Sequence, residues 1–257
     1  MNVALDRVTF GYAERPLFVG LDLSVRAGES VGIVGPNGSG KSTLLRLMAG
    51  LLEPSAGAVR VDGRPARGIG RTEFARLAAL VLQETHFAFD YTVLDVVLMG
   101  RHAYLPAFAR PGRADRELAM RAMERLDIAG LAHQGINRIS AGERQRALLA
   151  RALVQEPRGF LLDEATSHLD LRHQAAVMSA LHELVDAGRT VVVCSHDINL
   201  AALHCGRIVL VEGGRVRADG TAEEVVTAER LRSVYGLSVV VVPHPENGRP
   251  QVLLPRA

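Results

Sequence analysis

Nine consecutive residues, Gly35-Pro36-Asn37-Gly38-Ser39-Gly40-Lys41-Ser42-Thr43, set three glycines ahead of a lysine and two hydroxyls. Glycine lets backbone N–H groups wrap an anion at the start of a helix, and a lysine beside it supplies a point charge. The spacing is that of a phosphate loop. In this reading Gly35, Pro36, Asn37, Gly38, Ser39 and Gly40 form the cradle and Lys41 clamps the β- and γ-phosphates of a nucleotide. Ser42 offers a hydroxyl to Mg²⁺, which keeps most of its water, and Thr43 reaches the α-phosphate. Lys41 is the only lysine in the chain, so no neighbour can replace its ammonium.

Far downstream, the apolar run Phe160-Leu161-Leu162 ends in Asp163 and Glu164. A buried strand with acids at its C-terminal edge projects carboxylates where α/β sheets bind ligands. Asp163 suits the outer shell of Mg²⁺, and Glu164 suits a general base for an attacking water. By itself the run reads equally well as a strand ending in surface acids; the upstream loop gives it chemical meaning. Ser140 and Glu143 have the spacing of a capping box that opens a helix running to Leu153.

These groups need elements to hold them. Val31 to Val34 is a short apolar run, the pattern of a strand buried on both faces, and it leads through the loop into a helix expected from Lys41 to Leu52. Val3, Leu5, Val8 and Phe10, then Leu21, Leu23 and Val25, alternate as an antiparallel β layer, which Val59 to Asp62 extends. Between Gln83 and Ser140 the pattern is helical, with Val93 to Gly100 apolar and Leu118, Ala122, Met123 and Leu126 along one face. Buried strands return at Phe160, Val191 to Ser195 and Ile208 to Val211, with a helix from about Leu171. The tail 231–254 offers a short helix and two small strands around Pro243 and Pro250. The expected fold is α/β: a phosphate-loop NTPase core with a mostly parallel sheet, an N-terminal antiparallel β layer and an inserted α-helical subdomain. Residues 1–257 form one domain, its core at about 1–82 and 156–257 and its helical subdomain at about 83–155.

In this order the residues resemble the ABC (ATP-binding cassette) ATPase family, whose signature is a Ser-Gly-Gly-Gln/Glu helix start between the phosphate loop and the acidic strand. Here Ser140, Gly142 and Glu143 match and Ala141 stands for the first glycine, which puts the fine geometry in question. The resemblance covers essentially the whole chain. It implies that Gln83, after Leu80-Val81-Leu82, is the Q-loop residue with catalytic and metal-facing roles. It implies likewise that Ser167-His168-Leu169-Asp170 is the D-loop, that His196 is the switch histidine and that Tyr12 stacks on adenine. Ala165 stands where proline is common.

ATP and Mg²⁺ are the implied ligands. Two cassettes of the family close face to face, which implies a homodimer with each ATP between Lys41 and Ser42 of one copy and Ser140 and Gly142 of the other. Integral membrane permease subunits, a separate solute-binding protein and a cytoplasmic position on the inner face of the membrane are also implied. The stretch 92–101 and the ending 234–250 look like importers of iron-siderophore, haem and cobalamin complexes. The expected function is ATP hydrolysis that powers import of such a metal chelate through a separate permease. A cassette for another solute and a soluble iron-sulfur assembly ATPase are the alternatives.

Composition narrows the field. Hydrophobic residues at 48% and charged residues at 23% indicate a globular chain, while 4% aromatics, no Trp and a net charge of +2 give little for a nucleic-acid surface. No nucleic-acid partner is expected. Chromosome-remodelling relatives need coiled-coil insertions and translation-associated ones need two cassettes, and neither is present. Cys194 and Cys205 read as reduced packing residues. The start lacks a secretory leader pattern and no apolar run reaches about 18 residues, so a membrane role has to come from a partner. Val93, Val96, Val97 and Leu98 are dense enough that some are expected to meet another protein; where they instead fill the subdomain's own core, Phe87, Phe89, Tyr91 and Tyr104 are the better candidate anchors.

Overall fold

Period-two patterns sort the apolar residues onto two sheets. The computed structural model describes residues 1–255 other than Glu14, Glu84, His86, Ala107 and His168. Strand Val3–Tyr12 pairs antiparallel with Arg15–Val25 on one side and Ala56–Val61 on the other, and Arg64–Pro65 extends the layer. Its inward residues Val3, Leu5, Val8 and Phe10 are buried, as are Leu21, Leu23 and Val25, whereas Asp6, Asp22 and Ser24 face solvent.

The larger sheet has six strands in the order Arg215–Gly220, Arg207–Glu212, Ser30–Val34, Thr190–Ser195, Gly159–Asp163, Ala78–Val81. The first pair is antiparallel and every other neighbour is parallel. Thr190–Ser195 and Gly159–Asp163 are buried at each residue, as strands covered on both faces must be.

Alternation decides which core each residue joins. Leu161, Val192, Val209 and Val211 pack toward the antiparallel layer with Leu44, Leu45, Leu47 and Met48 of helix Lys41–Met48. That helix lies between two sheets, so it is apolar around most of its circumference. Phe160, Leu162, Val191 and Val193 join the opposite core, built by helices Val93–Leu98, Arg113–Arg125, Ala141–Val154 and Leu171–Asp186. A third cluster sets Val34, Ile208 and Leu210 against helices Ile198–His204, Ala222–Val225 and Ala228–Tyr235, with the hairpin Val240–Pro243 and Pro250–Leu253 against its edge.

Two expectations change. The loop helix stops at Met48, not Leu52, because Gly50 takes φ 65° and its N–H turns back to the Leu47 carbonyl. Leu51 and Leu52 continue the apolar pattern but not the helix, since a left-handed glycine after the cap ends it. Val93, Val96, Val97 and Leu98 are all buried in the chain's own helical core, because their short helix packs against both Arg113–Arg125 and Ala141–Val154. Phe87 also packs against that core, whereas Phe89, Tyr91 and Tyr104 are exposed. Helices Arg71–Leu77 and Ile198–His204 and strand Arg215–Gly220 were not anticipated.

Leu161 is fully buried behind the acidic residues. Leu161→Ala is expected to lower the unfolding free energy by about 2–5 kcal/mol. Urea denaturation checks this, and a loss below about 1 kcal/mol would contradict the packing described.

Candidate active site

The strand Ser30–Val34, in the interior of the larger sheet, delivers the chain into the glycine loop at its C-terminal end. Two of the glycines are required by contact: a Cβ on Gly35 would lie 2.0 Å from the Val211 carbonyl oxygen, and one on Gly40 2.6 Å from the Phe18 ring. Gly40 also has φ 103° and supplies no side-chain cap to the helix that follows. The first N–H groups of that helix therefore lack a side-chain acceptor, which suits an anion. Ser39 Oγ is buried in the loop without a hydrogen-bond partner among the described residues.

Lys41 is only 7% exposed, and its ammonium donates to the carbonyls of Gly35 at 2.8 Å and Pro36 at 3.0 Å. Burial lowers its pKa, while Cys194, Glu164 and Asp163 pull it back up. Asp163 shares a strand face with Leu161, two residues earlier, and so meets the loop helix, where the Ser42 hydroxyl lies near its carboxylate. Burial raises the Asp163 pKa; the nearby Ser42 hydroxyl opposes this, and the neighbouring Glu164 reinforces it. Cys194 sits on the matching face of the next strand, its thiol 3.4 Å from the Lys41 carbonyl. Burial pushes that thiol well up, so it is a packing group.

Glu164 ends the strand at φ 51°, a left-handed conformation that costs on the order of 1–3 kcal/mol for a residue with a Cβ. Its N–H donates to the Cys194 carbonyl at 2.9 Å, and its own carbonyl accepts from the Ser167 N–H at 3.0 Å and hydroxyl at 2.8 Å. This bracing turns the carboxylate into a cleft of about 680 Å³. There Gln83 Nε2 donates to Glu164 Oε2 at 2.8 Å, and His196 Nδ1 lies 3.4 Å from the same oxygen. Asn37, Thr166, Ser167, Gln174, Ser195 and Asp197 complete the lining. Of these only Asn37 and Ser167 had been singled out from sequence; the rest converge from separate strands and helices. Tyr12 is half exposed, its hydroxyl 3.3 Å from Thr43 Oγ1 at the start of the loop helix.

Ser140, Gly142, Glu143 and Asp170 do not line this cleft. Ser140 and Glu143 form the reciprocal box, Ser140 N–H donating to Glu143 Oε2 at 2.8 Å and Glu143 N–H to Ser140 Oγ at 3.3 Å, and the Ser140 hydroxyl adds a bond to the same Oε2 at 2.7 Å. The Ser140 hydroxyl and then its N–H hold the Glu143 carboxylate below the usual range. Ala141 faces solvent, so its extra methyl meets nothing within the chain. Asp170 caps helix Leu171–Asp186 through the His173 N–H at 2.9 Å, and His168 lies outside the described residues.

A hydroxyl and a buried carboxylate near one another, with an amide at the cleft mouth, form an all-oxygen donor set suited to Mg²⁺. Among the described residues no cluster of three or more His, Cys, Asp and Glu is arranged for a metal.

A glycine cradle that ends in an uncapped helix, joined to an acidic strand end in a parallel sheet, defines the phosphate-loop nucleotide hydrolases. Comparison with known proteins narrows this: residues 18–167 match the ABC transporter family, and the chain belongs to that family as one of its ATPases. The hemin import ATP-binding protein HmuV of Pseudomonas entomophila (strain L48) is 42% identical over 236 residues, covering 90% of this chain and 91% of that protein. A metal-chelate type ABC transporter in an inward-facing conformation matches with a TM-score of 0.82 at 30% identity, over 98% of this chain and 96% of its own. The dimeric ATP-binding cassette MJ0796, in a post-hydrolysis state bound to ADP and Pi, matches at TM-score 0.76 and 29% identity, over 85% and 98%.

Two measurements follow from the buried charges. Lys41→Ala removes a charge-assisted contact of about 1.5–3 kcal/mol, so ATP should bind on the order of 10- to 100-fold more weakly in a fluorescence titration. Unchanged affinity would remove Lys41 from phosphate binding. For Asp163, a folded-state pKa raised above its ordinary value of 3.8 makes folding most favourable at low pH. Stability then falls as pH rises through that window and stays lower above it. Asp163→Asn should raise Tm by about 2–4 °C at neutral pH and flatten this dependence. A lower Tm would mean that the polar groups around the carboxylate, Ser42 among them, outweigh burial.

Proposed function

We propose that this chain is the ATP-hydrolysing subunit that powers import of a metal-chelate type solute, an iron-siderophore, haem or cobalamin complex, through a separate membrane permease. The observation that carries the reading is the meeting of Gln83 and His196 on one oxygen of Glu164, beside a loop built for phosphates. Glu164 acts as the base for the attacking water, and Gln83 and His196 orient its carboxylate. Lys41 and the loop N–H groups hold the phosphates, Thr43 the α-phosphate, and Tyr12 offers its ring to adenine. Ser42, Asp163 and Gln83 would hold Mg²⁺. When bound, that cation neutralises phosphate oxygens.

Ser140, Gly142, Glu143 and Asp170 stand outside their own chain's cleft, which supports a site completed by a second copy. The dimer of the MJ0796 cassette supports the same arrangement. Among the described residues no helix is long and apolar enough to cross a membrane, so passage of solute falls to a partner. Exposed Phe89, Tyr91 and Tyr104, the last stacked by Arg76 and Arg101, offer anchors for a permease next to Gln83 in sequence. Residues 83–155 act in this scheme as the helical subdomain, the permease holds the chain at the inner face of the membrane, and a separate solute-binding protein delivers the cargo.

Glu164→Gln keeps the shape and loses the base. Hydrolysis should fall by about 10²- to 10⁴-fold while ATP drives a dimer in size-exclusion chromatography, and the tagged variant should co-purify an integral membrane protein from its native cells. Near-normal hydrolysis would remove Glu164 as the base. Co-purification of soluble proteins alone would favour an assembly ATPase instead.

A further inference from the structure

The residues assigned to a second copy's nucleotide sit on two different elements, the helix Ala141–Val154 and the cap of helix Leu171–Asp186. A continuous set of polar contacts joins them. Arg146, one turn past the Ser140 box, donates through Nη1 to the carbonyls of Leu126 and Asp127, both at 2.9 Å. Asp127 has φ 55° and closes the turn after helix Arg113–Arg125. Its carboxylate lies 3.6 Å from His173 Nε2 and 3.6 Å from Arg172 Nη2. The other nitrogen, His173 Nδ1, is 2.8 Å from Asp170 Oδ1, the oxygen that also accepts the His173 N–H. His173 is 20% exposed, whereas the carboxylates on either side of it are 63% and 66% exposed. It is thus the most enclosed member of the His173, Asp127 and Asp170 set.

We propose that His173 is a positioning residue that ties Asp170 to the Asp127 turn and, through Arg146, to the Ser140 helix, so that Ser140 and Asp170 meet a second copy's nucleotide as one rigid unit. The inference rests on the two-copy reading of the site. Its physical basis is that the imidazole is wedged between carboxylates of two different elements, 2.8 Å from Asp170 and 3.6 Å from Asp127, so its bulk sets the spacing between them. A side chain that served only its own helix cap would need the Nδ1 contact alone. Without the ring, Asp170 keeps its backbone cap and Arg172 still approaches Asp127, but the side chain that joins Asp170 itself to the turn is gone, and closure around ATP has to order Asp170 first.

The test is made in the Glu164→Gln background with the full chain. Sedimentation measures the protein concentration at which saturating ATP half-dimerises it, and a fluorescent ATP analogue measures nucleotide affinity of the monomer. His173→Ala is expected to raise the half-dimerisation concentration by about tenfold and to leave monomer affinity within about twofold. Asp127→Ala should give the same shift, and the double variant no more than either alone. His173→Asn keeps a donor at the Nδ1 position for Asp170 but cannot reach Asp127, so it should remain defective. Wild-type dimerisation in His173→Asn would mean that His173 only caps its helix, and the proposal would be overturned. Additive effects of His173→Ala and Asp127→Ala would overturn it too. Absence of an ATP-driven dimer in Glu164→Gln itself would refute the two-copy reading and this inference together.

Discussion

Two opposite charges, Lys41 and Asp163, lie almost wholly out of water at the C-terminal ends of one sheet's interior strands, and the rest of the architecture follows from keeping them there. Removing an ion from water costs several kcal/mol unless polar partners replace the solvent. Here the carbonyls of Gly35 and Pro36 receive the ammonium, and the Ser42 hydroxyl lies near the carboxylate. Each partner is itself fixed by packing. Leu44, Leu45, Leu47 and Met48 hold the loop helix between two sheets, and Phe18 of the antiparallel layer closes on Gly40 so tightly that no Cβ fits. A similar close approach sets Gly214 against the Leu17 carbonyl. The antiparallel layer is thus part of the phosphate cradle's support.

A second cost is stored one residue further on. Glu164 takes a conformation that a side chain rarely adopts, and three hydrogen bonds from the next strand and the following turn keep it there. In return its carboxylate leaves the strand's alternation and points into the cleft, where groups from residues 83 and 196 reach it. An ordinary strand continuation would have sent residue 164 toward the helical core with Leu162, since side chains two apart share a face. Strain at this one position separates a buried carboxylate at Asp163 from an accessible one at Glu164. The two adjacent acids thereby acquire different chemistry.

The capping box at Ser140 illustrates how one local motif can serve stability and function. Within the chain it satisfies the N–H groups of Ser140 and Glu143 at the start of helix Ala141–Val154 and holds the Glu143 pKa down. Its outward position leaves Ser140 and Ala141 at the surface, where another molecule can reach the helix start. Alanine in place of glycine at 141 is tolerated by the fold because that methyl lies in solvent.

Contiguous patterns were legible from sequence because their physics is local. The glycine loop, the apolar strand ending in Asp163 and Glu164, the Ser140 box and the alternation of the first strands each depend on residues a few positions apart. They were sufficient for the α/β class and for the ATPase family. Where neighbours in space decide, sequence fell short. Leu51 and Leu52 looked helical until Gly50 turned the chain, and Val93 to Leu98 looked too apolar for one face until helices closed on both sides. Ser195, Asp197 and Gln174 joined the cleft only because strand order brings 164, 174 and 196 together. Cys194 touches the Lys41 backbone across 153 positions, and His173 meets Asp127 from a separate helix. Local spacing determines which groups a segment offers, but the packing of sheets and helices sets the few ångströms that turn those groups into one site.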